Sequence, residues 1–279
     1  MNIDPKKDVA KITSFIQDTL KAQELHNVII ALSGGTDSTT SLYLLAKAVK
    51  AENIFVVHMP YKESHMDAIT PVVRALAIPK ANISEIPIES IVDEITSVIA
   101  RSDGDETIPA SPAGRPLRSP RPAMGGARDD KKIRLGNIMA RARMIITYDL
   151  AKKHSALVCG TENRSEHLLG YYTRFGDEAS DFEPIRHLYK TQVYQLAKHL
   201  GVPADIIDQK PTAGLWQGQT DEGEFGFTYE EADQVLYLYF DKRQSIDTIE
   251  KRGFSNAKKI IEFAKKNAYK HHVPYVIDG

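Results

Sequence analysis

The strongest constraint on the fold of this chain is an alternation. Four short β-rich runs are separated by helical patterns over roughly 37 to 50, 65 to 77, 89 to 100 and 132 to 153. The runs are Val28-Ile29-Ile30, Asn53-Ile54-Phe55-Val56-Val57-His58, Ile83-Ser84-Glu85-Ile86-Pro87-Ile88 and Ala156-Leu157-Val158-Cys159-Gly160. Strands joined through helices of this length predict βαβ units and a parallel sheet covered by helices on both faces, an α/β architecture. In such sheets ligands bind beyond the carboxyl ends of the strands. That rule puts residues 33–40, 58–65 and 160–167 on one rim. A further helical stripe, Val9, Ile12, Phe15, Ile16 and Leu20, precedes the first run, and a helical C-terminal region is expected from about 228 to 271.

On that rim the sequence Ala31-Leu32-Ser33-Gly34-Gly35-Thr36-Asp37-Ser38-Thr39-Thr40 falls where the first strand turns into a helix. Glycines there allow positive φ and let a bound group approach without a Cβ in the way. The free N–H groups and dipole of the following helix favour an anion, and Ser33, Thr36, Ser38 and Thr39 add hydroxyl donors. Asp37 on its own would repel phosphate. A carboxylate in a phosphate cradle makes sense if a cation bridges the two, and oxygen-only ligation suits Mg²⁺. The blander role for Ser33 or Asp37 is helix capping, which does not account for the two glycines. Neither the Gly-x-x-x-x-Gly-Lys-Ser/Thr loop nor the Gly-x-Gly-x-x-Gly fingerprint is present.

Composition narrows the partners. The 279 residues carry a formal net charge of -1, so no overall basic field draws the chain to nucleic acid or membrane. No run approaches the roughly 18 apolar residues of a membrane helix, and the start of the chain has no apolar signal core, so a cytoplasmic protein is the expectation. Cys159 is the only cysteine, which excludes an intrachain disulfide and a multi-cysteine metal site, and its apolar neighbours predict a buried strand residue. Two segments break the alternation. Residues 102–130 hold five of the 14 prolines together with Arg115, Arg118, Arg121 and Arg128, and are expected to be a mobile loop or lid; residues 210–222 are again loop-like and hold the only tryptophan.

The loop Ser33-Gly34-Gly35-Thr36-Asp37-Ser38 resembles the pyrophosphate-binding loop of the N-type ATP pyrophosphatases, which adenylate a substrate oxygen. Six further blocks follow in order. They begin Gly136-Asn137-Ile138-Met139-Ala140-Arg141, Gly160-Thr161-Glu162-Asn163-Arg164-Ser165-Glu166, Gly170-Tyr171-Tyr172-Thr173-Arg174, Ser180-Asp181-Phe182-Glu183-Pro184, Leu188-Tyr189-Lys190-Thr191 and Lys210-Pro211-Thr212-Ala213-Gly214. Together, from about residue 28 to 275, they resemble the NAD synthetase family. The resemblance implies a Rossmann-like, adenine nucleotide α-hydrolase-like fold in one domain spanning 1–279. It implies ATP-dependent amidation of deamido-NAD with ammonia through an adenylated intermediate, releasing AMP and pyrophosphate, in a homodimer with its sites at the interface.

Carried over by position, Ser33, Gly34, Gly35, Thr36, Asp37, Ser38, Thr161, Lys190 and Thr212 would contact ATP. Asp37 and Glu166 would hold Mg²⁺, and Asp37 and Lys190 would be the catalytic pair. Arg141, Arg174, Asp181 and Lys270 would hold deamido-NAD. Arg141 and Arg143 lie two apart on a helix and therefore point to different faces. The chain departs from the family pattern at Glu178-Ala179, where two glycines are usual, at Arg174 for a frequent lysine, and at Tyr269 before Lys270. It is too short for a glutamine-hydrolysing domain, so free ammonia, or ammonia delivered by a separate protein, is the expected nitrogen source. Two alternatives stand beside this reading: another adenylating ATP pyrophosphatase, such as a tRNA-modifying one, and a nucleotide-binding module that has lost catalysis.

Overall fold

A computed structural model describes residues 1–62, 66–102, 127–212, 214–215 and 218–277. Strands β1 (Asn27–Ala31), β2 (Ile54–His58), β3 (Ile83–Glu85) and β4 (Ala156–Cys159) form one sheet in the order β3-β2-β1-β4. Every pairing is parallel, with Ile29 opposite both Phe55 and Val158. Because side chains alternate across a strand, each buried strand feeds two cores. Val28 and Ile30 pack with α1 (Pro5–Ala22), α2 (Thr36–Ala48) and α7 (Lys190–Leu200) through Ile12, Ile16, Leu42, Leu45, Val193 and Leu196. Ile29, Val57 and Val158 pack on the other face with Val92 of α4 (Glu89–Ser102) and Met139 and Ala142 of α5 (Ala127–His154). The expected Rossmann-like, doubly covered parallel sheet is the observed fold. Each such buried aliphatic side chain contributes about 1.5–3 kcal/mol, so Ile16→Ala would cost about 2–5 kcal/mol.

Local sequence explains where the elements start. Asp4 accepts from the Lys7 N–H at 3.3 Å with Pro5 behind it, which fixes the start of α1. The remaining helices are α3 (Met66–Ala75), α6 (Arg164–Leu169), α8 (Ala204–Ile207), α9 (Asp221–Phe225), α10 (Tyr229–Leu236), α11 (Ile246–Glu250) and α12 (Ala257–Asn267). The last four surround a separate aromatic core, with Phe225 edge-on to Tyr229 at 5.7 Å and to Phe263 at 5.4 Å. Leu169 and Tyr189 join that core, so the C-terminal helices brace α6 and α7 from behind.

Several expected boundaries move. The third strand is three residues long rather than six, although the N–H groups of Ile86 and Ile88 still donate to the carbonyls of His58 and Pro60 at 2.8 and 2.9 Å. The helical region expected from about 228 to 271 is present as three helices and two tighter or wider turns, with breaks at Ser245, which caps α11, and at Gly253, which takes φ +99°. The loop expected at 102–130 yields its ends: Ser102 closes α4 and Ala127–Asp130 open α5. The lid expected over the rest of that segment lies outside the described residues, as does Trp216. Cys159 is buried in β4 as expected, and burial pushes its thiol well above the ordinary value.

Candidate nucleotide and cation site

Beyond β1, the chain turns through Leu32-Ser33-Gly34-Gly35 into α2. Gly34 has φ +87°, a conformation that side chains with a Cβ rarely adopt. Ser33 Oγ accepts from the Gly35 N–H at 3.2 Å and lies 3.0 Å from Ser38 Oγ, while Ser38 donates to the Gly35 carbonyl at 3.1 Å. The hydroxyls therefore brace the loop. Gly35 is the N-cap of α2, and among the described residues no side chain caps this end. The first N–H groups of the helix are left to an anion from outside. One expectation is revised: the Thr36 hydroxyl donates to the Ile206 carbonyl at 3.1 Å, and Thr39 is fully buried, so neither hydroxyl faces the loop. Thr36 keeps only its backbone N–H for a ligand.

Asp37, in the first turn of α2, meets two other functional side chains. Lys190, the first residue of α7, forms an ion pair with Asp37 Oδ2, and its Nζ lies 3.5 Å from Glu166 Oε1. Asn163 Nδ2 donates to Asp37 Oδ1 at 3.3 Å. Asn163 also builds the turn after β4: its Oδ1 accepts from the Glu166 N–H at 3.0 Å, and Glu166 Oε2 accepts from the Asn163 N–H at 3.3 Å. This reciprocal cap aims the other Glu166 oxygen at Lys190. The Asn-x-x-Glu spacing was the sequence signal for Asn163, and the family motif had drawn attention only to its neighbours Thr161 and Glu166.

Electrostatics set these groups apart. Burial works against the Lys190 charge, yet Asp37 and Glu166 outweigh it and hold the ammonium above the ordinary lysine range. Burial, then the nearby Asp37, push Glu166 well up. Asp221, at the start of α9, is 3% exposed and accepts from Tyr229 Oη at 3.1 Å; burial raises its carboxyl while Lys190 opposes the rise. Buried ion pairs return little net stability, so three charges gathered at a strand rim point to chemistry. The two remaining ATP candidates lie apart from this knot. Thr161 sits half-buried in the turn after β4, and Thr212 is exposed with its Oγ1 accepting from the Gly214 N–H at 3.1 Å.

Three of the four deamido-NAD candidates meet at the turn 170–177. Arg141 Nη2 donates to the Arg174 carbonyl at 3.2 Å, and the Arg174 guanidinium lies over the rings of Phe175 at 5.5 Å and Tyr269 at 5.6 Å. Lys270 Nζ donates to the carbonyls of Gly170 at 2.7 Å and Tyr172 at 2.8 Å. Arg143 faces the other way, donating from Nε to the Met59 carbonyl at 3.0 Å. Asp181 stands elsewhere, accepting from the Val158 N–H of β4 at 2.7 Å. Glu178 and Ala179, where glycines were expected, do not take positive φ. Positive φ falls instead on Phe175, at 59°, whose N–H donates to Glu178 at 3.3 Å.

A second charged cluster lies at the other side of the β4 turn. Glu162 is 6% exposed, with Arg186 Nε 3.5 Å and His167 Nδ1 3.7 Å from its oxygens. His167 Nδ1 lies 2.8 Å from Arg186 Nη2 and accepts from it, so the imidazole is neutral and is no cation for Glu162. Burial takes His167 down to about 4, in agreement with that proton count. Glu183 accepts from the Glu162 N–H at 3.0 Å and from Ser180 Oγ at 2.8 Å. Burial carries both carboxyls up to about 8.

A glycine turn opening a helix at the carboxyl edge of a parallel sheet, with an acid and a lysine over it, defines a nucleotide-binding α/β protein of the adenine nucleotide α-hydrolase type. The comparisons carry this further: a family model described as NAD synthase matches residues 8–274, and the chain belongs to that family of ligases. It is 38% identical over 278 residues to the NH(3)-dependent NAD(+) synthetase of Thermococcus kodakarensis, covering 98% of this chain and 97% of the relative. To the NH(3)-dependent NAD(+) synthetase of Chlorobaculum tepidum it is 35% identical over 269 residues, covering 96% and 87%. Among solved structures, the NH3-dependent NAD synthetase from Campylobacter jejuni aligns with a TM-score of 0.71 at 28% identity, over 99% of this chain and 100% of that one. The NMN synthetase from Francisella tularensis aligns at 0.76 and 25%, over 99% and 100%.

Proposed function

We propose that the chain is an ammonia-dependent NAD⁺ synthetase that makes NAD⁺ from deamido-NAD, ATP and ammonia. The observation that carries the reading is the meeting of Asp37, Glu166 and Lys190 beside the uncapped start of α2. A carboxylate is a poor acyl donor. Its oxygen attacks the α-phosphorus of ATP, the bond to pyrophosphate breaks, and ammonia then attacks the carbonyl carbon of the acyl-adenylate and expels AMP. No protein nucleophile is required, which suits a chain whose one cysteine is buried.

In this reading the N–H groups of Gly34, Thr36, Asp37 and Ser38 take the ATP phosphates, with Ser33 and Gly35 shaping the loop around them and Thr161 and Thr212 as further contacts. Lys190 holds a fixed positive charge where phosphate charge gathers. Asp37 and Glu166 would hold Mg²⁺. The donor set fits a hard cation, because Asp37 and Glu166 both present carboxyl oxygens on the same rim. Among the described residues no group of three or more His, Cys, Asp or Glu side chains is gathered for a metal, so its other ligands would be phosphate and water. When bound, the ion offsets the charge of the triphosphate. Arg141, Arg174 and Lys270 shape the turn that would receive the dinucleotide, with Asp181 bracing β4 beside it, and a second copy of the chain would complete the site in a homodimer. Among the described residues no helix is long and apolar enough to cross a membrane.

The test is formation of NAD⁺ by the purified protein from ATP, Mg²⁺ and deamido-NAD, with ammonium in one arm and glutamine in another, and nicotinate mononucleotide replacing deamido-NAD in a third. NAD⁺ from ammonium and deamido-NAD is the expected result. Equal turnover with glutamine would refute the free-ammonia reading. Preference for the mononucleotide would move the substrate toward that of the Francisella tularensis neighbour.

A further inference from the structure

Lys190 and Glu166 belong to different helices, so a brace shared by the two helix starts is the natural place to look for control of their geometry. That brace is Asp233, which α10 contributes from the aromatic C-terminal core. Its side chain is completely buried. Oδ2 accepts from the Thr191 N–H of α7 at 2.8 Å, and Oδ1 accepts from the Ser165 hydroxyl of α6. Ser165 Oγ in turn accepts from the Lys190 N–H at 2.9 Å. One carboxylate therefore engages the first turns of both helices, and the residues beside its two contacts are Lys190 and Glu166. Tyr189, the N-cap of α7, reaches back through Gln192 at 2.9 Å but leaves the Lys190 and Thr191 N–H groups to this chain of bonds.

We infer that Asp233, acting through Ser165, is a positioning residue that sets Lys190 Nζ against Asp37 and Glu166. Asp233 touches no reacting atom. The backbone of the first turn of α7 fixes the direction in which the Lys190 side chain leaves the helix. A buried anion on that turn holds it more firmly than a neutral cap does, because charge-assisted hydrogen bonds are shorter and stronger. The Ser165 bridge ties the same turn to the helix that bears Glu166, so the cation and one of its two carboxylates move as one unit.

This inference rests on the proposed reaction and is tested by a double-mutant cycle of Asp233→Asn with Lys190→Met. The asparagine keeps the shape but cannot accept both bonds as an anion, and turnover, kcat/KM for ATP and Mg·ATP affinity by titration calorimetry are read together. In the otherwise native protein D233N should lower kcat/KM for ATP about 30-fold, the range for losing a hydrogen bond to a charged group. In the K190M background the same change should cost less than about threefold, because coupled residues do not add. S165A, which removes only the bridge, should follow D233N and serves in its place if D233N does not fold. A D233N penalty that persists in full without Lys190, or D233N activity within about threefold of wild type, would overturn the inference. If the wild type makes no NAD⁺, the proposed reaction fails by itself. The cycle is then read on Mg·ATP binding, which D233N should weaken only where Lys190 is present.

Discussion

Two acidic residues four apart, Glu162 and Glu166, flank the start of α6, and the protein treats them in opposite ways. Glu166 looks toward the sheet rim, where its partner cation Lys190 is shared with Asp37 and where α2 leaves its N–H groups uncapped. Glu162 looks away, with Arg186 at 3.5 Å, a neutral His167 and the neighbouring Glu183 around it, and its side chain is 4% exposed. In the first cluster two carboxyls meet one lysine, and Glu166, pushed well up by burial and by Asp37, would gain from a second cation. In the second, burial raises both carboxyls to about 8, Arg186 is the neighbouring cation, and among the described residues the Glu162 oxygens accept no hydrogen bond. The difference separates a site built to receive charge from one built to join segments of the chain.

Substitution of the two cations breaks the comparison most sharply. Lys190→Met should lower kcat/KM for ATP by about 10³-fold, the scale of losing a preorganised donor at a centre of developing charge, while the protein still folds. Glu166→Gln should come next, at about 10²-fold, with a raised requirement for Mg²⁺ in a titration of initial rate. Arg186→Met should instead leave turnover of the folded enzyme within about threefold, because surface-directed changes away from the reacting atoms act on stability. Its melting temperature should fall, and fall further at pH 8 than at pH 6, because Glu162 would have to ionise with no cation beside it. If R186M lost activity as steeply as K190M, the second cluster would belong to the active site and the contrast would disappear.

The sheet and its rim were legible because their signals are local. A run such as Val28-Ile29-Ile30 followed by two glycines and an acid states both a strand end and an anion cradle. Lys190 was legible only through the family motif, since nothing near Tyr189-Lys190-Thr191 announces that an apparently solvated helix start is 4% exposed. Asp233 and Asp221 were not legible at all. Asp233 lies within an ordinary helical stretch and Asp221 near the end of the segment expected to be a loop, and each acquires its neighbours only when the C-terminal helices fold back on α6 and α7. The expected hydroxyl donors Thr36 and Thr39 erred in the same way: residue type suggested a ligand, while the direction of the helix face sent one hydroxyl to Ile206 and the other inward. Glu178 and Ala179 stand where the resemblance expects glycines, yet neither takes a positive φ, and the left-handed position of that turn is Phe175.

The smallest expected effect concerns how the second cluster titrates. Burial raises Glu162 and Glu183 to about 8 in the folded chain, above the value each has when unfolded. The folded state therefore binds more protons across the window from the unfolded carboxylate range to about pH 8, and stability must decline as pH rises through it. His167 and His271, lowered to about 4 by burial, act in the opposite direction, but only below the pKa of an unfolded histidine; their contribution is present above that value and is lost as pH falls toward 4. Above it those histidines no longer titrate, and Glu162 and Glu183, with Glu166 moved in the same direction, make the melting temperature drop steadily between pH 6.5 and 8. Glu162→Gln removes one of these titrations while preserving shape and should make that slope shallower, with turnover unchanged within about threefold. A slope unaltered by E162Q would mean that Glu162 is ionised throughout the window and that Arg186 alone neutralises it. The second cluster would then be an ordinary ion pair, set apart from the first only by which cation it meets.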